Sequence, residues 1–169
     1  MIMTFGIYEA SVPVFRQLLK NLSGLLDKAE AHAAEKGIDV AALLDARLAP
    51  DMFSLTRQIM IATDHAKGAT ARLSGSEIPK YEDTEKTVAE LQARIRKTLD
   101  FIDSVPAAQF AGGENRDIKL VFPWATHEFT GQRYLTYWAL PNFFFHVTTA
   151  YDILRHQGVP IGKADFIGQ

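Results

Sequence analysis

The sequence predicts an all-α fold: four long amphipathic helices, with a small β-hairpin inserted between the third and the fourth. Two patterns in the 169 residues carry the prediction. Apolar residues recur at three-and-four spacing in four separate stretches, the period of one buried helix face. Between the third and fourth of these, residues 117 to 130 alternate at strand spacing. The composition, 47% hydrophobic and 22% charged, is that of one globular domain with a sizeable core, spanning residues 1–169.

The first helix carries the stripe Val14, Phe15, Leu18, Leu19, Leu22, Leu25, Leu26 and Ala29, and ends near Gly37. Phe5, Tyr8 and Val12 prolong the stripe upstream. The helix is therefore expected to begin near Thr4 and kink at Pro13, rather than start there with Ser11 as its cap. Ile38 to Leu48 reads as a short helical connection. Pro50-Asp51 is expected to open the second helix, with the face Met52, Leu55, Ile59, Ala62, Ala66, Ala69 and Leu73 and a stop at Gly75. The small residues Ala62, Ala66, Gly68 and Ala69 leave room for a neighbouring helix.

A loop with Pro79 follows. Thr84 is expected to begin the third helix, with Glu85 in its first turn. Val88, Leu91, Ile95, Leu99 and Ile102 face the core, Glu90 and Arg94 pair on the outer surface, and Pro106 ends the helix. Gly112-Gly113-Glu114-Asn115 breaks the pattern. The hairpin turns at Pro123-Trp124 and must lie against the helices, because two strands alone are marginal. Phe122, Trp124 and Phe129 are the expected contacts. The fourth helix runs from Gln132 to a left-handed cap at Gly158, bent by Pro141. The tail from Pro160 to Gln169 is expected to anchor through Phe166 and Ile167.

Several chemistries are excluded. Without cysteine there is no disulfide, thiolate zinc site or cysteine nucleophile. A net charge of −2 with dispersed basic residues gives no case for nucleic acid or acidic membranes. The start, Met1 to Glu9, lacks the basic-then-apolar order of a signal peptide, and no stretch is long enough to span a bilayer. A cytoplasmic location is expected. No phosphate-cradling glycine loop, nucleophile elbow or paired carboxylates at di-iron spacing are present.

The fourth helix holds the richest stretch, Pro141 to Gly158. Asn142 and His146 lie one turn apart on one side of it. A mid-helix histidine followed by Ile153-Leu154-Arg155 and Gly158 resembles the last helix of the DinB/YfiT-like bundle superfamily. Asp64-His65-Ala66-Lys67-Gly68-Ala69, Ala139-Leu140-Pro141-Asn142-Phe143, Phe145 to Tyr151 and Gly162-Lys163-Ala164-Asp165-Phe166 closely resemble segments of one bacterial branch of unknown function. The likeness spans nearly the whole chain. It implies a four-helix bundle and no established activity.

Many such bundles hold a divalent metal with three histidines, one from the second helix and two from the fourth at i and i+4. Carried over, those positions are His65, Asn142 and His146. An amide is a weak ligand for zinc or nickel beside imidazole. The resemblance thus implies a candidate small-molecule pocket at a degenerate metal site, with His65 and His146 as the ligands of any divalent ion. The alternatives are an active metal-dependent transferase or hydrolase using a low-molecular-weight thiol, and a structural or partner-binding homodimer.

Asp64 suits an outer-sphere partner better than a ligand, since adjacent residues point about 100° apart on a helix. Asp152 lies on the wrong side. His127 in the hairpin is the outsider to test as an extra ligand, His156 suits the helix C-terminus, and His32 is expected in solvent. Phe143, Phe144 and Phe145 sweep about 200° of the helix and cannot all face inward. The rest should meet the hairpin, or else a second subunit.

Overall fold

The computed structural model describes residues 5–168. Four rods form the bundle: α1 (Val12–Lys36), α3 (Leu55–Ser74), α4 (Val88–Ser104), and a long rod made of α5 (Gly131–Tyr134), a wide π turn (Leu135–Ala139) and α6 (Leu140–His156). The short α2 (Val40–Asp45) links the first two, and α7 (Lys163–Ile167) closes the tail. Around the bundle, α1 packs on α4 and α6, and α3 packs on the same two. Thus α3 and α6 lie side by side. Among the described residues no helix is long and apolar enough to cross a membrane.

The stripes face inward as predicted. Phe15, Leu19, Leu22, Leu26, Leu55, Ile59, Ala62, Ala66, Leu91, Ile95, Phe143, Ala150 and Ile153 are fully buried. The starts of α1, α3 and α4 differ from expectation. A start of α1 near Thr4 lies outside the described residues; from Ile7 to Ser11 the chain turns, and the helix begins at Val12 with Pro13 in its first turn. A proline there sacrifices no intrahelical hydrogen bond. Likewise α3 begins at Leu55 after Ser54, not at Pro50. The α4 helix begins at Val88 rather than Thr84, because Thr87 accepts from Glu90 N while the Glu90 carboxylate caps Thr87 N at 3.0 Å.

The hairpin matches its predicted bounds: β1 (Asp117–Phe122) pairs antiparallel with β2 (Ala125–Thr130), with Leu120 opposite His127. Its inner face covers Trp138 and Tyr134 through Phe122, His127 and Phe129. Trp124 does not help; it is 79% exposed and stacks only on Phe122. Nor does the hairpin cover the phenylalanine run. Phe143 packs on Phe15, whereas Phe144 and Phe145 stay exposed. The tail docks as expected, Phe166 lying edge-on to Tyr151. His32 is buried rather than solvated.

Pro141 does not break the fourth rod. The π turn just before it absorbs the missing hydrogen bond, and the chain stays helical through Ala139 and Leu140. That continuity carries Asn142 and His146 onto α6 in register with α3.

Two glycines hold the base of the hairpin to the end of α3. A Cβ at Gly131 would overlap the Gly113 carbonyl oxygen and lie 2.9 Å from its carbon; one at Gly113 would lie 2.5 Å from the Leu73 carbonyl oxygen. Both obstacles are backbone, which cannot rotate away. Gly131→Ala is expected to destabilise the fold by about 2–3 kcal/mol, as overpacking does. Chemical denaturation checks this, and a loss under about 0.5 kcal/mol, the scale of a neutral surface change, would refute the tight contact.

Gly68, in contrast, makes no close approach to a neighbouring helix. The atoms within 4 Å of where its Cβ would stand belong to the Arg72 guanidinium.

Candidate functional site

The side-by-side packing of α3 and α6 brings His65 against His146. Their ring centres are 5.8 Å apart and their planes 16° apart. Residues separated by 81 positions meet because each lies on the face its helix turns to the other. His146 is 8% exposed, His65 and Asn142 half-buried.

A residue overlooked in the sequence orients His146. Gln58 donates its amide N–H to the Phe53 carbonyl at 3.2 Å, which directs its oxygen toward His146 Nδ1 at 2.6 Å. That oxygen can only accept, so Nδ1 carries the proton and Nε2 presents a lone pair. The signal was available: Gln58 and His65 are seven apart, two turns along one face of α3. Phe145 stands edge-on to His146, its centroid 5.2 Å away.

Both imidazoles are held neutral. Burial, then the nearby His146 ring, pushes His65 down to about 4; burial and the Arg57 charge push His146 down to about 4. At neutral pH the pair is two uncharged nitrogen bases.

Asn142 donates its amide nitrogen to the Trp138 carbonyl one turn back, at 2.7 Å. The amide is anchored to its own helix. Asp64 does not support His65. Its carboxylate pairs with Arg94 and with Lys67, at 2.8 Å each. His127 lies among aromatics, 5.1 Å from Trp138. His156 is exposed in the last turn of α6.

The donor set decides the fit to a metal. Two imidazoles sharing one ion at ordinary zinc–nitrogen distances stand with ring centres roughly 5–6 Å apart, so the pair itself is suitably spaced. Yet no group of three His, Cys, Asp or Glu side chains suited to a metal occurs among the described residues. Two imidazoles and an amide tied to its own helix fall one strong donor short of the three protein ligands that hold a catalytic zinc. The residues do not fit a resident catalytic metal.

Beside this site lies a charged cluster. Arg94, expected on the surface with Glu90, is buried: its side chain is 1% exposed and meets Asp64, Asp83 at 3.1 Å, Glu85 at 3.0 Å and Thr63 Oγ1 at 2.7 Å. The loop between α3 and α4 is strapped down by these bonds. Tyr81 of the same loop lies under the Lys67 ammonium, 3.7 Å from its ring centre.

Comparison with known proteins accords with this architecture. A family model described as "Domain of unknown function (DUF1993)" matches residues 7–167. A solved structure, that of a DinB family member protein from Shewanella denitrificans, is 43% identical. The match covers 96% of this chain and 92% of that one, with a TM-score of 0.90. No curated protein matches.

Proposed function

We propose, from the premise that the chain belongs to the DUF1993 family of DinB-like proteins, that it is a small-molecule-binding bundle whose His65–Asn142–His146 site is a degenerate metal site. One observation carries the reading: the Phe53–Gln58–His146 relay, which leaves the Nε2 lone pair beside a second neutral imidazole. Such a pair accepts hydrogen bonds, and Phe145, more than half exposed and edge-on to His146, offers apolar surface next to it. A ligand with a planar apolar body and one O–H or N–H donor suits these groups.

The opposing reading is a divalent-metal-dependent transferase or hydrolase using a low-molecular-weight thiol. It needs a third strong donor where Asn142 stands. The exposed Tyr137, Phe144 and Phe145 on the fourth rod suit a homodimer contact as well as a ligand groove.

Phenol and toluene separate these ideas, since they share a ring and differ in the donor. Phenol is expected to shift the His146 and His65 ring-nitrogen resonances saturably, toluene to leave them unmoved, and His146→Ala to abolish the shift at His65. Equal responses to both would refute hydrogen-bond acceptance by the imidazole. Stoichiometric zinc or nickel in protein purified without chelator, lost in His146→Ala, would overturn the reading in favour of a metal enzyme.

A further inference from the structure

Two turns beyond His65 on α3 stands Arg72, and three features of it are unusual together. It is half-buried, yet no carboxylate of the described residues pairs with it. Its guanidinium points back along its own helix, one Nη standing 2.6 Å from where a Gly68 Cβ would be. It donates to the Tyr134 hydroxyl of the fourth rod at 3.3 Å, with the Tyr134 ring 5.8 Å away.

Gly68 makes the arrangement informative. Glycine in mid-helix is disfavoured relative to alanine. No backbone or neighbouring helix occupies the space of its missing methyl; the Arg72 head does. The helix gives up local stability at Gly68, and in return the cation lies in the seam between α3 and the fourth rod, against Tyr134. Gly68 is three residues from His65, about 4.5 Å along the axis, so the charge ends close to the imidazole pair.

A cleft of about 760 Å³ opens onto this place, lined by Asp64, Lys67, Gly68, Arg72, Tyr81 and Asp83 among others. Of its three carboxylates, Asp64 and Asp83 are engaged by Arg94 and Glu82 is exposed to solvent. Arg72 is left as a cation whose planar fork matches a carboxylate.

We propose that Arg72 is the anion hook of the seam, and that the small molecule is a compact organic carboxylate. Its carboxylate lies on the Arg72 guanidinium and its hydrogen-bond-donating end meets the His65–His146 pair. The inference rests on the binding function proposed above and names its ligand class.

Lactate and its uncharged analogue lactamide are the probes, titrated at constant ionic strength while the Arg72 Nε–H and the histidine ring signals are followed by NMR. Lactate is expected to shift both sets saturably. Lactamide, Arg72→Gln and Gly68→Ala are each expected to bind about tenfold more weakly or worse, the loss of one charge-assisted pair. Gly68→Ala should keep or raise the melting temperature, which separates a displaced hook from a damaged fold. Arg72→Lys, retaining charge without the fork, should fall between. Equal affinity for lactate and lactamide, or lactate binding unchanged in Arg72→Gln, overturns the proposal. If Arg72 responds to lactate while His65 and His146 respond to nothing, the binding function at the imidazoles fails and the anion site survives alone. If phenol reaches His146 but lactate never moves Arg72, the binding function stands and the carboxylate assignment falls.

Discussion

Replacement of Arg94 by methionine is expected to lower the unfolding free energy by about 3 kcal/mol, the lower end of the range for breaking a buried ion pair. Burial works against the Arg94 charge, but Asp64 and Glu85 outweigh it and hold its pKa above the ordinary arginine value. With the guanidinium gone, Glu85, whose side chain is only 14% exposed, keeps no cation in ion-pair range; Asp64 still has Lys67 and Asp83 still has Arg57. Those residual pairs, and the partial exposure of both aspartates, keep the loss from being larger. At this chain length the change corresponds to a melting-point drop of about 10 °C. Hydrogen exchange supplies the second readout. Residues 76–87 should lose protection before the helices do, because Arg94 ties their loop to α3 and α4. A stability loss below about 1 kcal/mol, typical of an exposed ion pair, with the loop still protected, would show that the cluster is not what holds it.

Acidification from pH 6.5 to 4 is expected to remove several kcal/mol of stability, and the part of that loss above about pH 5 precedes general carboxylate protonation. The direction follows from the two buried imidazoles, both pushed down to about 4 in the folded chain. An unfolded histidine titrates near 6.5. Between those values the unfolded chain binds more protons than the folded one. Stability is therefore fully present above about 6.5, falls as pH drops toward 4, and levels off below that for these two groups. Each imidazole alone is worth roughly 3 kcal/mol; together they give less than twice that, because part of the His65 depression comes from His146. Urea unfolding at intervals across the range measures the slope, and His65→Gln should flatten it by about half. An imidazole signal of either residue titrating near 6.5 in the folded protein would contradict the burial that the geometry shows.

The fold was largely legible because its signals are local and repeated. Five or more apolar residues per stripe outvote any single ambiguous position, and the hairpin register follows from strict alternation around Pro123-Trp124. Helix starts were read less well. Apolar spacing continues through Tyr8 and Met52, whereas Pro13 and the Thr87–Glu90 capping box set the actual beginnings of α1 and α4. Arg94 was misplaced for a similar reason. Its spacing from Glu90 fits a surface pair, but Glu90 is taken up by the cap, and the loop brings Asp83 and Glu85 to the arginine instead.

By itself, then, the sequence determined the number of long helices, which face of each turns inward, the inserted hairpin, and the presence of one histidine in the second long helix and another in the middle of the fourth. The tertiary structure alone decided that the histidines meet ring against ring, that Gln58, accepting from His146 Nδ1–H, fixes the tautomer of that ring, and that Arg72 lies in the space Gly68 leaves. The reason is geometric. Periodicity specifies how a side chain is turned about its own helix, but the rotation and axial offset between two helices come from the packing of the whole core. An offset of one residue, about 1.5 Å, is enough to exchange one polar partner for another.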